Sequence, residues 1–171
     1  MQALRINVEI VMERVPLASR WASEAWLPCA VTTVADDAVA TADAPPEPDA
    51  TGTRWRFRGH TLELHPTEAE GYFLNLTSPA PCIFVMWRQD DEGELRLARP
   101  VLATLSYNQA GRLLDGGERV DPVPLPDAIA DWMRPFVATH YKPEPRRKVK
   151  RNDPFADGAF VPQRGDGTGR R

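Results

Sequence analysis

An almost perfect alternation of apolar and polar residues near the N-terminus constrains the fold of this chain more than any other feature. Apolar residues occupy every second position from Leu4 to Met12, and Arg5, Asn7 and Glu9 lie between them. A period of two places successive side chains on opposite faces of an extended strand. The pattern therefore predicts a β-strand that buries one face and exposes the other.

Later stretches extend this β-rich pattern, with local signals for edges and bulges. Pro28 removes a ladder hydrogen bond, which predicts an edge strand or a bulge, and Pro100 is expected to break its strand. The apolar residues move from odd positions (Trp55, Phe57) to even positions (Leu62, Leu64) across Gly59-His60. A shift of one residue predicts a β-bulge or a tight hairpin. Residues 82–87 are all apolar, which indicates a central strand covered on both faces. The predicted strands after the first are EAWLPCAVTTV, TRWRFRGHTLELH, EGYFLNLTS, PCIFVMWRQ and LRLARPVLATLS.

Two helices are predicted to follow the strands. Ser106 and Gln109 form an S-x-x-Q capping box, and Gly116-Gly117 is expected to end that helix. The second helix begins near Pro126, and Pro135 within it predicts a kink. Its apolar stripe consists of Ile129, Trp132, Met133, Phe136, Val137 and His140. The predicted fold class is α+β: a single domain with a twisted, mainly antiparallel sheet, two C-terminal helices and a basic tail. A partly closed barrel is the alternative form of the sheet.

The composition divides the chain into a folded body and a tail. Its 171 residues suit one domain, with residues 1–141 as the folded α+β domain and residues 142–171 as an extended basic tail. Residues 35–53, rich in Ala, Asp and Pro, are expected to form a mobile surface loop. No run reaches the roughly 20 apolar residues of a membrane span, and the first residues do not resemble a signal peptide. A cytoplasmic protein is expected.

The sequence offers no recognisable motif for catalysis, metal binding or a cofactor. His60 and His65 are five residues apart, which is not a metal-ligand spacing on a strand, and no CxxC or HExxH motif is present. Cys29 and Cys82 lie in apolar strands, where buried thiols of low reactivity are expected. Gly116-Gly117 follows a helix, so a C-cap is favoured over a phosphate loop. We therefore predict no catalytic residue, no metal ligand and no cofactor.

Aromatic residues alternate with arginine in the stretch RWRFR. Trp55 and Phe57 lie on one face of the predicted strand, and Arg54, Arg56 and Arg58 on the other. Such a pattern can form a stacking platform for nucleic-acid bases. It also fits a core face backed by a solvated basic face, and the strict alternation favours this second interpretation.

A basic arm near the C-terminus is the strongest signal outside the predicted core. Nine Lys/Arg stand against four Asp/Glu from residue 142 onward, a net charge of +5, whereas residues 1–141 carry twelve against twenty, or −8. Prolines disfavour helix at the residues before them, so the arm is expected to be extended. Its predicted partner-binding residues are Lys142, Pro143, Pro145, Arg146, Arg147, Lys148, Lys150 and Arg151. The arm fits a solvated tail, docking on an acidic protein surface, or non-specific contact with nucleic acid; the acidic body argues against the last.

Four stretches resemble a small bacterial family of unknown function. They are VEIVMERVPLASRWASEAWLPCAV, LELHPTEAEGYFLNLTSPAPCIFVMWR, VDPVPLPDAIADWMRPFV and HYKPEPRRKVKRNDP. The family is usually encoded near the genes of molybdenum-dependent formate dehydrogenase, and some members are labelled molybdopterin-guanine dinucleotide biosynthesis protein. The resemblance implies an accessory role in the assembly or maturation of that enzyme. It provides no catalytic residues, and Pro135 departs from the family pattern.

The leading functional hypothesis is therefore a non-enzymatic accessory protein that docks on a protein partner through its basic arm. The resemblance suggests a formate dehydrogenase subunit or a maturation factor as that partner. A small transferase or ligand-binding protein of molybdopterin cofactor biosynthesis is the first alternative, although the chain lacks the glycine-rich nucleotide loop that guanylyl transfer requires. A weak, non-specific nucleic-acid binder is the second alternative.

Overall fold

The computed structural model describes residues 4–35 and 44–143, which form seven strands and three α-helices. All strand pairs are antiparallel, so the predicted α+β class is confirmed. In chain order the elements are β1 (Leu4–Pro16), β2 (Glu24–Thr33), β3 (Glu47–Pro48), β4 (Arg54–Leu64), α1 (Ala69–Leu76), β5 (Cys82–Gln89), β6 (Ala98–Thr104), α2 (Tyr107–Asp115), β7 (Arg119–Pro124) and α3 (Asp127–His140).

The first sheet has the strand order β2-β1-β4-β3 and follows the predicted alternation. Val8, Ile10 and Met12 of β1 are fully buried. Pro28 lies on the edge strand β2 and next to a register shift in its pairing with β1. The edge strand and the bulge, predicted as alternatives, therefore occur together. A second shift lies at Gly59, whose φ of +82° is readily adopted by glycine alone. The predicted bulge in β4 is thus confirmed.

The second sheet has the order β6-β5-β7, which places the apolar strand β5 at its centre as predicted. The expected break at Pro100 is wrong, because β6 continues through it with a register shift against β5. At the opposite edge, β7 contains Pro122 and Pro124, which have no N–H to offer to a further strand. In the part of the chain that the structure describes, the sheets do not close into a barrel.

Helix α1 replaces a strand that the sequence analysis predicts, so that prediction is wrong. Pro66 opens a short 3₁₀ turn that leads directly into the helix. The buried residues of α1 are Ala69, Gly71, Tyr72 and Asn75, and three of them, Ala69, Tyr72 and Asn75, recur at a helical spacing of three. The Tyr72 hydroxyl accepts the His65 backbone N–H at 3.1 Å and donates to the Glu63 carbonyl at 3.3 Å, which joins α1 to the end of β4.

The two later helices lie where the sequence predicts them. The Ser106 side chain accepts the Gln109 backbone N–H at 3.0 Å and caps α2, and Gly117 follows that helix with a φ of +83°. Helix α3 continues through Pro135, and its apolar stripe buries Met133 and Val137. No helix in residues 4–35 or 44–143 is long and apolar enough to cross a membrane.

A single hydrophobic core joins the two sheets and the helices. Its largest fully buried side chains include Tyr72, Ile83, Leu105, Ile129 and Met133, which come from both halves of the chain. In the predicted loop at residues 35–53, Glu47–Pro48 pair with β4, while residues 36–43 lie outside the described part.

Candidate functional site

The start of the basic arm is fixed to the folded body. The Tyr141 ring stacks on Phe73 of α1 with 4.2 Å between ring centroids, and its backbone N–H donates to the Val137 carbonyl at 2.8 Å. Lys142 and Pro143 then line a cleft of about 530 Å³, with Ala69 and Glu70 among the residues opposite. We call this cleft the arm root.

Of the eight predicted partner-binding residues, only Lys142 and Pro143 belong to the described part of the chain. Lys142 has no carboxylate partner within residues 4–35 and 44–143. The other six residues lie outside that part: Pro145, Arg146, Arg147, Lys148, Lys150 and Arg151.

The histidines and cysteines that the sequence analysis considers are distributed over separate strands. His60 is half-buried in β4, and His65 after it contacts Glu63 at 3.1 Å. Cys29 and Cys82 are half-buried free thiols, and burial raises the pKa of each. Within the described ranges, no three His, Cys, Asp or Glu side chains are grouped to hold a metal ion.

His60 should make the stability of the fold depend on pH. Burial lowers the pKa of His60 from its ordinary 6.5, so the unfolded chain takes up a proton at a higher pH than the folded chain. The free energy of unfolding is therefore expected to fall as the pH decreases below about 6.5. Urea denaturation at pH 7.5 and 5.5 should show a smaller difference for His60→Gln than for the wild type. His65→Gln, at an exposed histidine, is the matched control. If both variants reduced the difference in unfolding free energy between pH 7.5 and 5.5 equally, His60 could not be the cause of the pH dependence.

An apolar groove of about 730 Å³ lies where β5 and β7 meet the start of α2. All of its lining residues are uncharged, and four of them are prolines. Phe84 and Tyr107 form its aromatic pair in an edge-to-face contact with 6.0 Å between centroids, and Tyr107 is 55% exposed. We call this site the proline groove; its other lining residues are Asn75, Ser78, Pro79, Ala80, Pro81, Cys82, Pro122 and Pro124.

The polar atoms of Asn75 in the proline groove are engaged within the protein. Its amide nitrogen donates to the carbonyl oxygens of Cys82 and Leu105 at 2.7 and 2.8 Å, and its oxygen accepts the Cys82 backbone N–H at 3.0 Å. The Asn75 side chain therefore fixes the position of the groove. An occupant would be held mainly by apolar contact.

A second cleft, of about 530 Å³, lies between loop 17–23 and the turn before β6. Trp26 and Trp87 form its aromatic walls, and Arg96 and Arg119 also line it. The Arg119 guanidinium lies 5.1 Å from the centre of the Trp87 ring. We call this site the tryptophan–arginine cleft.

The sequence analysis expects Trp55 to face the core, and four of the five tryptophans lie in or against the core. Trp26, Trp55 and Trp87 are buried, and Trp132 packs against the core. Trp21 differs, because it is 92% exposed in loop 17–23. Trp21 lies outside the strands, whereas Trp26 lies within β2 and pairs with Arg14 of β1.

These features define a single-domain α+β protein with two antiparallel sheets, a basic arm at a fixed root, and two surface clefts. The chain belongs to the family DUF3305, a family of proteins of unknown function, whose model matches residues 7–150. The predicted membership of a family of unknown function is thereby confirmed. We found no curated protein and no solved structure that matches the chain.

The proline groove and the tryptophan–arginine cleft are absent from the sequence-based predictions. A weak signal for the groove exists in the segments TSPAPC and DPVPLP, where closely spaced prolines suggest an exposed extended backbone. Their meeting beside Phe84 and Tyr107 depends on the pairing of β5 with β7, which lie more than thirty residues apart.

Proposed function

We propose that this chain is an accessory protein that docks on a partner protein through two neighbouring surfaces. The basic arm would contact an acidic surface of the partner, and the proline groove would receive an uncharged, apolar segment beside it. The resemblance to proteins encoded near formate dehydrogenase genes suggests a subunit or maturation factor of that molybdenum enzyme as the partner. A cytoplasmic location is part of this proposal.

The position of α1 between the arm root and the proline groove carries the proposal. Ala69 and Glu70 at one end of the helix line the arm root, and Asn75 near the other end lines the groove. At 1.5 Å per residue, Ala69 and Asn75 are about 9 Å apart along the helix axis. This axial distance is short enough for one partner to contact both sites.

The charge distribution favours a protein with a local acidic patch over nucleic acid, which is negatively charged along its whole length. The turn at residues 90–94 carries Asp91, Glu92 and Glu94, for which the described part of the chain supplies no cationic partner. With a net charge of −8 on residues 1–141, the body repels phosphate backbones. An acidic patch on the partner would be attracted to the basic arm and would raise the rate of association. Apolar contact in the proline groove would slow dissociation.

Co-purification from native cell extract tests this proposal. Replacing Arg146, Arg147, Lys148 and Lys150 together by Gln should reduce the recovery of a formate dehydrogenase subunit by roughly tenfold or more, because the long-range attraction is lost. The matched control replaces Arg164, Arg170 and Arg171 by Gln, which removes positive charge from the same tail outside the basic cluster. The control should recover as much partner as the wild type.

Tyr107→Ser tests the groove in the same assay, because it removes an exposed aromatic ring and leaves the arm intact. Recovery of the partner is expected to fall for this variant as well. Unchanged recovery for both the arm variant and Tyr107→Ser would refute two-surface docking. A loss confined to the arm variant would refute the role of the groove.

A further inference from the structure

The arginines of the folded body divide into those with a carboxylate partner and those without one. Of the twelve arginines in residues 4–35 and 44–143, nine have a carboxylate oxygen within 4.0 Å. The three without such a partner in this part of the chain are Arg20, Arg96 and Arg119. Arg96 and Arg119 line the tryptophan–arginine cleft, and Arg20 belongs to loop 17–23, which forms one side of it. Two of these three guanidinium groups therefore line the tryptophan–arginine cleft, and the Arg96 Nε also donates to the Asp90 carbonyl at the long distance of 3.5 Å.

The aromatic walls of this cleft are held in fixed positions. The Trp87 indole N–H donates to an Asp121 carboxylate oxygen at 2.6 Å. Trp26 packs on Trp55 with 5.0 Å between ring centroids, and the Arg14 guanidinium lies 5.6 Å from the centre of the Trp55 ring. Ligand sites commonly combine such preformed aromatic surface with a few polar groups that fix orientation.

We propose that the tryptophan–arginine cleft binds a small ligand that carries an anionic group on a planar ring. A guanidinium group presents a planar fork of donors that matches a carboxylate or a phosphate, and it also stacks on aromatic rings. Arg96 and Arg119 would hold the anion, and Trp26 and Trp87 would contact the ring. A volume of about 530 Å³ is sufficient for a one- or two-ring ligand. This site is independent of the docking surfaces at the arm root and the proline groove.

Two carboxylates also line the cleft, and they have different roles. Glu24 is engaged by Arg14 at 3.1 Å and is therefore neutralised within the protein. Glu94 has no cationic partner in the described chain, and its charge opposes an incoming anion. Removing the Glu94 charge should consequently tighten binding, whereas removing the charge of Arg96 or Arg119 should weaken it. Opposite effects from residues of one cleft distinguish local recognition from a general loss of structure.

Isothermal titration calorimetry of the full chain with four probes tests the ligand class. The probes are 1-naphthyl phosphate, 1-naphthoate, 1-naphthol and inorganic phosphate, which separate the ring from the anion and the phosphate from the carboxylate. One or both of the ring anions should bind at least about tenfold more tightly than 1-naphthol and inorganic phosphate. Equal affinity for 1-naphthol and the ring anions, or no binding by any ring anion, would overturn the proposal.

Four variants then locate the site. Arg119→Gln and Arg96→Gln should each weaken binding of the preferred ring anion by roughly tenfold, the loss expected for a charge-assisted hydrogen bond. Glu94→Gln should tighten it by about threefold, as expected for removal of one nearby like charge. Arg134→Gln is the control, since Arg134 lies on α3 and pairs with Asp131. Arg96→Gln remains informative if Arg119→Gln disturbs the Trp87 contact. If neither arginine variant nor Glu94→Gln changed the affinity for the ring anion, this cleft could not be the binding site.

Discussion

Replacing Asn75 by Ala should lower the free energy of unfolding by about 3–5 kcal/mol. Asn75 is 1% exposed, and its side chain forms three hydrogen bonds with backbone groups of Cys82 and Leu105. The substitution leaves these backbone groups without their partner. Each buried polar group that loses its hydrogen bond costs roughly 1–3 kcal/mol, and the cavity adds to that cost. Urea denaturation at pH 7 measures the change.

Asn108→Ala provides the control for this prediction. Asn108 is half-buried, and its side-chain amide contacts Glu70 at the protein surface at the long distance of 3.4 Å. Its replacement should change the free energy of unfolding by no more than about 0.5 kcal/mol. If Asn75→Ala were as mild as Asn108→Ala, the Asn75 hydrogen bonds could not be what joins α1 to β5 and to the end of β6.

The contacts of Asn75 also explain why the sequence did not predict α1. In EGYFLNLTS, apolar side chains occur at both strand and helix spacings, so the local pattern does not distinguish the two structures. The helical form buries Asn75 against backbone groups of Cys82 and Leu105, and the latter lies thirty residues away. Such long-range partners cannot be identified from the spacing of residues in one segment.

Elements with local signals were predicted well. The alternation in β1, the bulge at Gly59 and the capping box of Ser106 each depend on a few neighbouring residues and on backbone preferences that act within one segment. Pro100 shows the limit of this reasoning. A proline can remain in an edge strand when a register shift accommodates its missing N–H, and β6 is an edge strand.

The candidate sites were less accessible to sequence reasoning than the fold. Charge composition identified the basic arm, because a cluster of cations is visible without any contact. The tryptophan–arginine cleft joins Trp26 of β2 to Arg119 of β7, which are almost a hundred residues apart and in different sheets. Arginines with and without a carboxylate partner look alike in the sequence, so only the folded structure separates Arg119 from its paired counterparts.

Gly71→Ala should lower the free energy of unfolding by about 2–3 kcal/mol, although alanine is usually the better helix former. An added Cβ at Gly71 of α1 would lie 2.2 Å from the Ser106 Oγ and 3.2 Å from the Asn108 backbone nitrogen. The Ser106 hydroxyl cannot move away at low cost. It donates to Glu68 at 2.5 Å and accepts the Gln109 N–H that caps α2. The substitution must therefore push α1 and α2 apart or break the cap.

Gly111→Ala is the matched substitution for this test, because Gly111 also lies in a helix but has no atom within 4 Å of an added Cβ. It should raise the free energy of unfolding by about 0.5–1 kcal/mol, the usual gain from replacing a helical glycine by alanine. Parallel urea denaturation of the two variants measures both values. Opposite signs are expected because both substitutions favour the helical backbone and only Gly71 lies at a close helix–helix contact. Stabilisation by both would mean that α1 and α2 are not in close contact at Gly71 and Ser106.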